Sequence, residues 1–180
     1  LTSLFDKVNG REVLAGPANV LELFEDRSIA GEAWEIDLYY REKRRVVEDL
    51  VEAVVEEDGP IRGALRLTWR FLSSTISQRL TLYRALPRLD FRTELAWHER
   101  QVMLKAAFPV NVRATRATYE IQFGSIERPT HWNTPHDTAR FEVPAHRWAD
   151  LSEGDYGVAL LNDCKYGHDV RDNVLRLTLH

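Results

Sequence analysis

The stretch Leu65-Arg66-Leu67-Thr68-Trp69-Arg70-Phe71 decides the fold class, because large apolar residues alternate with polar ones along its whole length. Residues 34–40, 89–97 and 119–123 alternate in the same way. A period of two residues is typical of a strand with one face on a core and the other in water, as in antiparallel sheets. The sequence therefore predicts an all-β fold, which we interpret as an antiparallel β-sandwich.

Turn signals separate these segments. Asn9-Gly10 and Asp58-Gly59-Pro60 each lie between two apolar segments and predict hairpin connections. Breaks recur at intervals of about 8–15 residues, which favours a sandwich over alternating strands and helices. Residues 45–57 fit two interpretations. Their valines have helical spacing, yet valine favours strands, and we interpret the second half as a strand.

Composition narrows the class of protein. The chain has 180 residues, 44% hydrophobic and 10% aromatic, so a folded core is expected, and we predict one β-sandwich domain over residues 1–180. A net charge of −4 argues against nucleic-acid binding. No apolar stretch approaches the roughly 18 residues that cross a membrane. A lone cysteine, Cys164, suits a reducing compartment and predicts a cytoplasmic location.

Both ends of the chain have unusual features. It starts at Leu1, its one methionine is Met103, and the alternating run 174–179 continues almost to His180 without a polar tail. We therefore expect a fragment of a larger chain, with part of its function carried by other residues.

The residues by themselves give no convincing catalytic or metal site. His131, His136 and Asp137 offer ligand types that zinc accepts. Pro135 breaks any helix that would place the two histidines on one face, and no third well-spaced ligand is evident. The acidic residues between 48 and 58 are interpreted as a solvated face or turn. Glycoside hydrolysis needs two facing carboxylates, and spacing on a β scaffold does not show which ones meet.

Aromatic residues in turn-rich segments give the best functional hint. Trp132, Trp148, Tyr156 and Tyr166 lie among asparagine, aspartate and arginine side chains. Flat rings beside hydrogen-bonding groups suit a sugar, which has an apolar face and a ring of hydroxyls. The same rings are equally consistent with closing the ends of a sandwich.

Two longer motifs carry a family resemblance: His146-Arg147-Trp148-Ala149-Asp150-Leu151, and the run from Tyr156 to Gly167 that contains Leu-Leu-Asn-Asp-Cys-Lys-Tyr-Gly. Together with Trp34–Tyr40 and Leu89–Leu95, they resemble the carboxyl-terminal β-domain region of glycoside hydrolase family 38, the α-mannosidases, of the bacterial and cytosolic type. His168 departs from the pattern, since tyrosine is expected after Tyr166-Gly167.

The resemblance implies a fold and a reaction. The fold would be a galactose-mutarotase-like supersandwich, and the whole enzyme would hydrolyse α-mannosides with retention. In such enzymes the nucleophilic aspartate and the zinc lie on an amino-terminal α/β domain, so no catalytic residue, metal ligand or cofactor is assigned to this fragment. The isolated fragment is expected to be inactive. Its expected partners are the catalytic domain of its own polypeptide and the α-mannoside, and a homo-oligomer is left open.

Two polar and aromatic loops, 131–137 and 162–169, are the predicted walls of the substrate cleft. The candidates are His131, Trp132, Asn133, His136, Asp137, Asn162, Asp163, Lys165, Tyr166, His168 and Asp169. The alternative function is a free-standing carbohydrate-binding or protein-interaction module without catalysis. Glycan binding by the isolated chain would favour that alternative.

Overall fold

A computed structural model describes residues 1–31 and 34–180. The chain is 53% strand and 6% helix, and its sheets are nearly all antiparallel, which confirms the all-β prediction. Within the described residues, the helical segments are a 3₁₀ helix at Leu38–Lys43 and α1 at Pro135–Thr138. Neither is long and apolar enough to cross a membrane.

The strands, in chain order, are β1 (Phe5–Asp6), β2 (Arg11–Glu12), β3 (Val20–Glu25), β4 (Arg44–Val46), β5 (Leu50–Asp58), β6 (Arg62–Phe71), β7 (Ser74–Tyr83), β8 (Leu89–Ala96), β9 (Val102–Pro109), β10 (Arg116–Ile121), β11 (Gly124–Pro129), β12 (Val143–Pro144), β13 (Trp148–Ser152), β14 (Gly157–Leu161), β15 (Gly167–Arg171) and β16 (Val174–Thr178).

The chain divides into two compact units. The larger unit comprises residues 1–45 and 103–180, and the smaller unit comprises residues 46–102. The interpretation of residues 1–180 as a single domain stays a prediction.

Two sheets build the sandwich of the larger unit. The six-stranded sheet has the order β12-β15-β16-β9-β3-β4, and the four-stranded sheet has the order β11-β10-β13-β14. Successive side chains on a strand point to opposite faces, so each sheet has one face that packs against the other sheet. Residues from these two inner faces form one core. The buried residues of this core are Val110, Val112, Ala117, Tyr119, Val143, Ala145, Ala149, Leu151, Val170 and Leu175.

The six-stranded sheet carries different chemistry on its two faces. Val170 on β15 pairs with Leu175 on β16, and both belong to the sandwich core. The next pair along these strands is Asp169 with Arg176. Since successive side chains alternate between faces, this charged pair lies on the face away from the sandwich core.

The smaller unit is one four-stranded sheet with the order β5-β6-β7-β8. Strand β5 confirms the interpretation of the second half of 45–57, and the turn after Asp58 leads into β6 as predicted. One face of the sheet bears an arginine–glutamate ladder. We define it by its ion-paired members, which are Glu52, Glu56, Glu57, Arg62, Arg66 and Arg79.

The first predicted hairpin also forms. Strands β1 and β2 pair across a turn that ends at Gly10, whose φ of 61° is the left-handed region that favours glycine. The Asp6 carboxylate accepts hydrogen bonds from the backbone N–H groups of Val8 and Asn9, which fixes the turn.

The predicted strand at residues 34–40 is wrong, because the 3₁₀ helix begins at Leu38. Trp34 is 90% exposed, whereas the Tyr40 ring is buried with its centroid 5.0 Å from that of Phe24. Ile36 packs against the same cluster, which includes Met103. The period of two residues therefore did not correspond to one buried face. Burial of Tyr40 stabilises a tight turn here instead of a strand.

Candidate functional site

A buried charged cluster lies on the face of the six-stranded sheet away from the sandwich core. Lys105 on β9 is fully buried, and its Nζ contacts Glu142 and lies 3.1 Å from Asp169 Oδ2. Burial favours the neutral amine, but the charges of Asp169 and Glu142 outweigh it and raise the pKa of Lys105. The ammonium therefore stays charged inside the protein and joins two carboxylates.

Asp169 is the hub of this cluster. Its Oδ1 accepts hydrogen bonds from Arg41 Nη2 at 2.6 Å and from Arg176 Nη1 at 3.2 Å, in addition to the contact with Lys105. Three cations thus surround one carboxylate that is 4% exposed. Such a carboxylate is saturated with donors, so it anchors side chains and is poorly suited to attack a sugar.

Glu22 extends the cluster to the neighbouring strands. Its Oε2 accepts from Arg176 Nε at 2.9 Å, and its Oε1 lies 2.6 Å from Arg44 Nη2. We define the buried charged cluster by these ion-paired residues, which are Glu22, Arg41, Arg44, Lys105, Glu142, Asp169 and Arg176.

A small pocket opens beside the cluster, and it receives residues from both predicted loops. Trp132 and Asp137 come from the loop 131–137, and Asp169 comes from the segment 162–169. The 3₁₀ helix contributes Arg41, whose Cζ lies 4.5 Å from the centroid of the Trp132 ring. A second guanidinium, that of Arg171, lies 4.1 Å from the same centroid. Trp132 is thus a support for two arginines as well as part of the wall.

The loop 131–137 is shaped by a capping box. Thr134 Oγ1 accepts a hydrogen bond from the Asp137 N–H, and Asp137 Oδ2 accepts from the Thr134 N–H at 3.2 Å. His131 Nδ1 lies 3.6 Å from Asp137 Oδ2, while Asn133 and His136 are exposed. Across residues 1–31 and 34–180, no group of three or more His, Cys, Asp or Glu side chains is arranged to hold a metal ion.

Asn162 holds the turn between β14 and β15. Its Oδ1 accepts from the backbone N–H groups of Cys164 and Lys165, at 3.1 and 2.6 Å. Its Nδ2 donates to the His146 carbonyl at 3.2 Å. Asn162 therefore has a structural function in the turn, which displays the side chains that follow it.

The exposed side chains of that turn lie away from the pocket. Asp163 is exposed, Lys165 is half-buried, and Tyr166 is 60% exposed with its ring edge-on to His146. None of them lines the pocket beside Trp132. Of the predicted loop residues, Trp132, Asp137 and Asp169 line the pocket together. Asp163, Lys165 and Tyr166 lie outside it.

His168 and Asp169 are not in a loop, contrary to the expectation for 162–169. Strand β15 begins at Gly167, so both residues are in a sheet and both are buried. His168 Nδ1 is 3.2 Å from the Tyr166 carbonyl oxygen, and within the described part of the chain its Nε2 has no hydrogen-bond partner. Burial lowers the pKa of His168, which favours the neutral ring.

Sequence reasoning missed Lys105 and Arg41. One signal for Lys105 was present, because it is the single charge in the apolar run from Val102 to Val110. A charge inside a buried strand requires partners, so this position could have indicated an ionic cluster. Arg41 had no such signal, since it lies in the charged run 41–45.

Comparison with known proteins bears directly on the family. A profile described as "Glycosyl hydrolases family 38 C-terminal domain" matches residues 1–180. The chain belongs to glycosyl hydrolase family 38. The resemblance seen in the sequence is therefore confirmed, and the family 38 match covers the two compact units alike.

Curated proteins named as alpha-mannosidases are similar to this chain over nearly its whole length. The chain is 46% identical to Alpha-mannosidase 2C1 of Homo sapiens over 186 residues, which cover 99% of this chain and 18% of that protein. It is 39% identical to Alpha-mannosidase G of Dictyostelium discoideum, over 99% of this chain and 17% of that protein. The chain thus spans less than a fifth of the length of the curated relatives it matches.

A solved structure supports the fold independently of sequence. The crystal structure of an alpha-mannosidase from Enterococcus faecalis V583 superposes with a TM-score of 0.82 over 98% of this chain and 23% of that chain. The identity is only 13%, so this similarity bears on the fold alone.

Proposed function

We propose that this chain is the carboxyl-terminal β-domain of an enzyme that hydrolyses α-mannosides with retention, and that it acts in the cytoplasm. The carrying observation is the 46% identity over 99% of the chain with a protein named Alpha-mannosidase 2C1. In this proposal the domain packs on a catalytic domain of its own polypeptide and helps to wall the substrate cleft.

The carboxylates that would perform the chemistry belong to the rest of the polypeptide. Retention requires a nucleophilic carboxylate and an acid–base carboxylate about 5–5.5 Å apart on either side of the glycosidic bond. At the pocket described above, Asp169 is saturated by three cations and Asp137 is engaged in the capping box. These ion pairs and hydrogen bonds leave neither carboxylate suited to the nucleophilic step, and they support a function in lining the cleft.

The described residues do not fit a zinc ion. His131 and Asp137 are neighbours, but no third ligand joins them among residues 1–31 and 34–180. The zinc that the family implies would therefore be held by other residues of the polypeptide, and no step is assigned to it here.

The apolar face of the smaller unit is exposed at its edge strand, which supports packing on another domain. Val55, Leu65, Leu80 and Phe91 are aligned across the four strands. Leu80 is buried, whereas Val55 on the edge strand is 67% exposed. An apolar face left open at an edge strand favours coverage by further protein. We assign that coverage to the remainder of the same polypeptide.

The exposed candidates would contact the sugar, and the buried ones would act through their neighbours. Asp163 and Tyr166 offer a carboxylate and a phenol on the turn that Asn162 holds, and both are accessible. His168 and Asp169 are buried, so in this proposal they position the strand and Arg41. A wall supplies orientation and exclusion of water, which raise the rate without forming a bond to the sugar.

The test compares the whole polypeptide with the isolated chain on a chromogenic α-mannoside in the presence of zinc. Hydrolysis by the whole polypeptide, with the α-anomer as the first product in an NMR time course, is the expected result. Turnover by residues 1–180 alone would contradict the assignment of the catalytic carboxylates to the rest of the polypeptide. Binding of mannosides by a whole polypeptide that lacks turnover would favour the carbohydrate-binding alternative.

Variants of the whole polypeptide test whether Asp163 and Tyr166 line the substrate cleft. Asp163→Ala and Tyr166→Ala should lower turnover per folded molecule more than Glu52→Ala on the ladder does. If the two residues only stabilise the turn, their loss lowers the melting temperature and leaves turnover unchanged, which would contradict their assignment to the cleft.

A further inference from the structure

Three arginines beside the pocket have no carboxylate partner. Arg128 and Arg140 line it, and Arg171 lies on the Trp132 ring. Within residues 1–31 and 34–180, none of the three forms an ion pair with a carboxylate. Arg128 donates only a long hydrogen bond, 3.4 Å from Nη1 to the Pro144 carbonyl oxygen. Their positive charges are thus not neutralised by nearby side chains.

The two carboxylates at the pocket are already engaged. Asp169 accepts from Lys105 and Arg176 as well as from Arg41, and Asp137 accepts from Thr134. The pocket is lined by three arginines, Arg41, Arg128 and Arg140, and by two aspartates, while Arg171 lies beside it on the Trp132 ring. The lining residues thus carry an excess of one positive charge, and Arg171 adds a second one nearby, in a chain whose net charge is −4.

Aromatic rings hold three of these arginines, Arg41, Arg128 and Arg171, in place. Arg128 Cζ lies 5.0 Å from the centroid of the Tyr119 ring, and Arg41 and Arg171 both lie over Trp132. A guanidinium stacked on a ring loses little further freedom when it binds a ligand. Burial lowers the pKa of Arg128, and the nearby charge of Arg140 adds to that effect. An anion in the pocket would relieve the repulsion between these two groups.

We propose that this pocket binds the phosphate group of a small molecule. A phosphate monoester carries a charge of about −1.5 to −2, which the excess of the lining residues can balance together with the neighbouring Arg171. Its three oxygens can accept the paired N–H donors of several guanidinium groups, whereas a single carboxylate would leave part of the charge unpaired. The enclosed space has room for only about one water molecule, so the phosphate group binds at the mouth of the pocket and places at most one oxygen inside.

The test uses the whole polypeptide and inorganic phosphate as the probe. Isothermal titration at constant ionic strength should detect phosphate binding, and phosphate should raise the melting temperature. The double variant Arg128→Gln, Arg140→Gln should bind at least tenfold more weakly. Arg147→Gln is the matched control, because Arg147 is also exposed and has no carboxylate ion pair in the described chain, yet lies outside the pocket. It should leave the affinity unchanged.

Two results would overturn the proposal. One is the absence of a phosphate-dependent heat and melting shift in the unmodified polypeptide, as expected if an acidic side chain of another domain occupies the pocket. The other is equal affinity in the double variant and in Arg147→Gln. Should the double variant unfold, the single variant Arg140→Gln at an exposed position decides between the same outcomes. Since the readout is binding and not turnover, a failure here leaves the hydrolase proposal standing.

Discussion

The buried charged cluster and the arginine–glutamate ladder are built from the same chemical groups but lie in different environments. Arg176 Nε is 2.9 Å from Glu22 Oε2 in the cluster, and Arg79 Nε is 2.8 Å from Glu56 Oε2 in the ladder. The geometry is nearly the same, yet the Glu22 side chain is 3% exposed and that of Glu56 is 28% exposed. We therefore expect burial, and not pair distance, to determine how strongly each network stabilises the fold.

The physical reason is solvation. In the ladder, water solvates each charge when its partner is removed, so the pairs contribute little to stability. In the cluster, removal of one partner leaves an uncompensated charge in a medium that solvates it poorly. The cluster also joins elements distant in sequence, because Asp169 contacts Arg41 and Lys105, while the ladder joins β5, β6 and β7, which follow one another along the chain.

The largest effect is expected for Lys105→Met. This change leaves Asp169 and Glu142 without their shared ammonium and should reduce the free energy of unfolding by about 3–5 kcal/mol. Urea unfolding followed by tryptophan fluorescence measures it. Arg66→Met in the ladder is the control and should change the midpoint little. Equal effects of the two variants would show that burial does not separate the networks.

A smaller loss is expected for Glu22→Gln. The amide keeps the shape and one acceptor but removes the charge between Arg44 and Arg176, so the free energy of unfolding should fall by about 1–3 kcal/mol. The same substitution at Glu56 is the matched control, because Glu56 also bridges two arginines, Arg66 and Arg79. A loss at Glu56 as large as that at Glu22 would contradict the prediction.

A pH effect is expected from His168. Burial lowers its pKa in the folded state below the unfolded value of about 6.5, so the unfolded state binds more protons as the pH falls. Stability should therefore be retained above pH 6.5 and decline below it, by at most about 1.4 kcal/mol per pH unit.

Urea midpoints measured between pH 7.5 and about pH 5 test this, with His168→Gln as the comparison. The variant should lose part of the slope. The remainder includes His180, whose pKa is also lowered by burial. An unchanged slope would exclude His168 as the titrating group.

The smallest effect is expected from salt acting on the ladder. Arg79→Gln removes pairs with Glu56 and Glu57, and its small effect on the melting temperature should vanish near 1 M NaCl, where the screening length is about 3 Å. The effect of Lys105→Met should persist at the same salt concentration, because the cluster is shielded from solvent. If both effects fade together, solvent reaches the cluster and its description as buried is wrong.

Much of the fold was predictable from local pattern. The alternation of 65–71 and 89–96 corresponds to β6 and β8, and Asn9-Gly10 and Asp58-Gly59 lie at hairpins. The failure at 34–40 shows the limit of this reasoning. An alternating pattern predicts a strand only if one continuous face is buried, and Trp34 is exposed while Tyr40 is buried.

The candidate site was predictable only in part. The loop 131–137 does supply Trp132 and Asp137 to the pocket. The sequence pattern predicts one loop over 162–169, but His168 and Asp169 lie in β15. Polar residues such as these are typical of a loop, and nothing near them in the sequence indicates that they are buried. The ionic partners of Asp169 are distant along the chain, since Arg41 is 128 residues away.

The sequence by itself determined the all-β class, the hairpins and the family, since these depend on residues close together along the chain or on their order. Only the tertiary structure determined which charges meet. Arg41, Lys105 and Asp169 come from a 3₁₀ helix and two strands, and no spacing in the sequence links them. Pairing of charges in a protein interior depends on distance in space and on exclusion of water, and sheet topology fixes both.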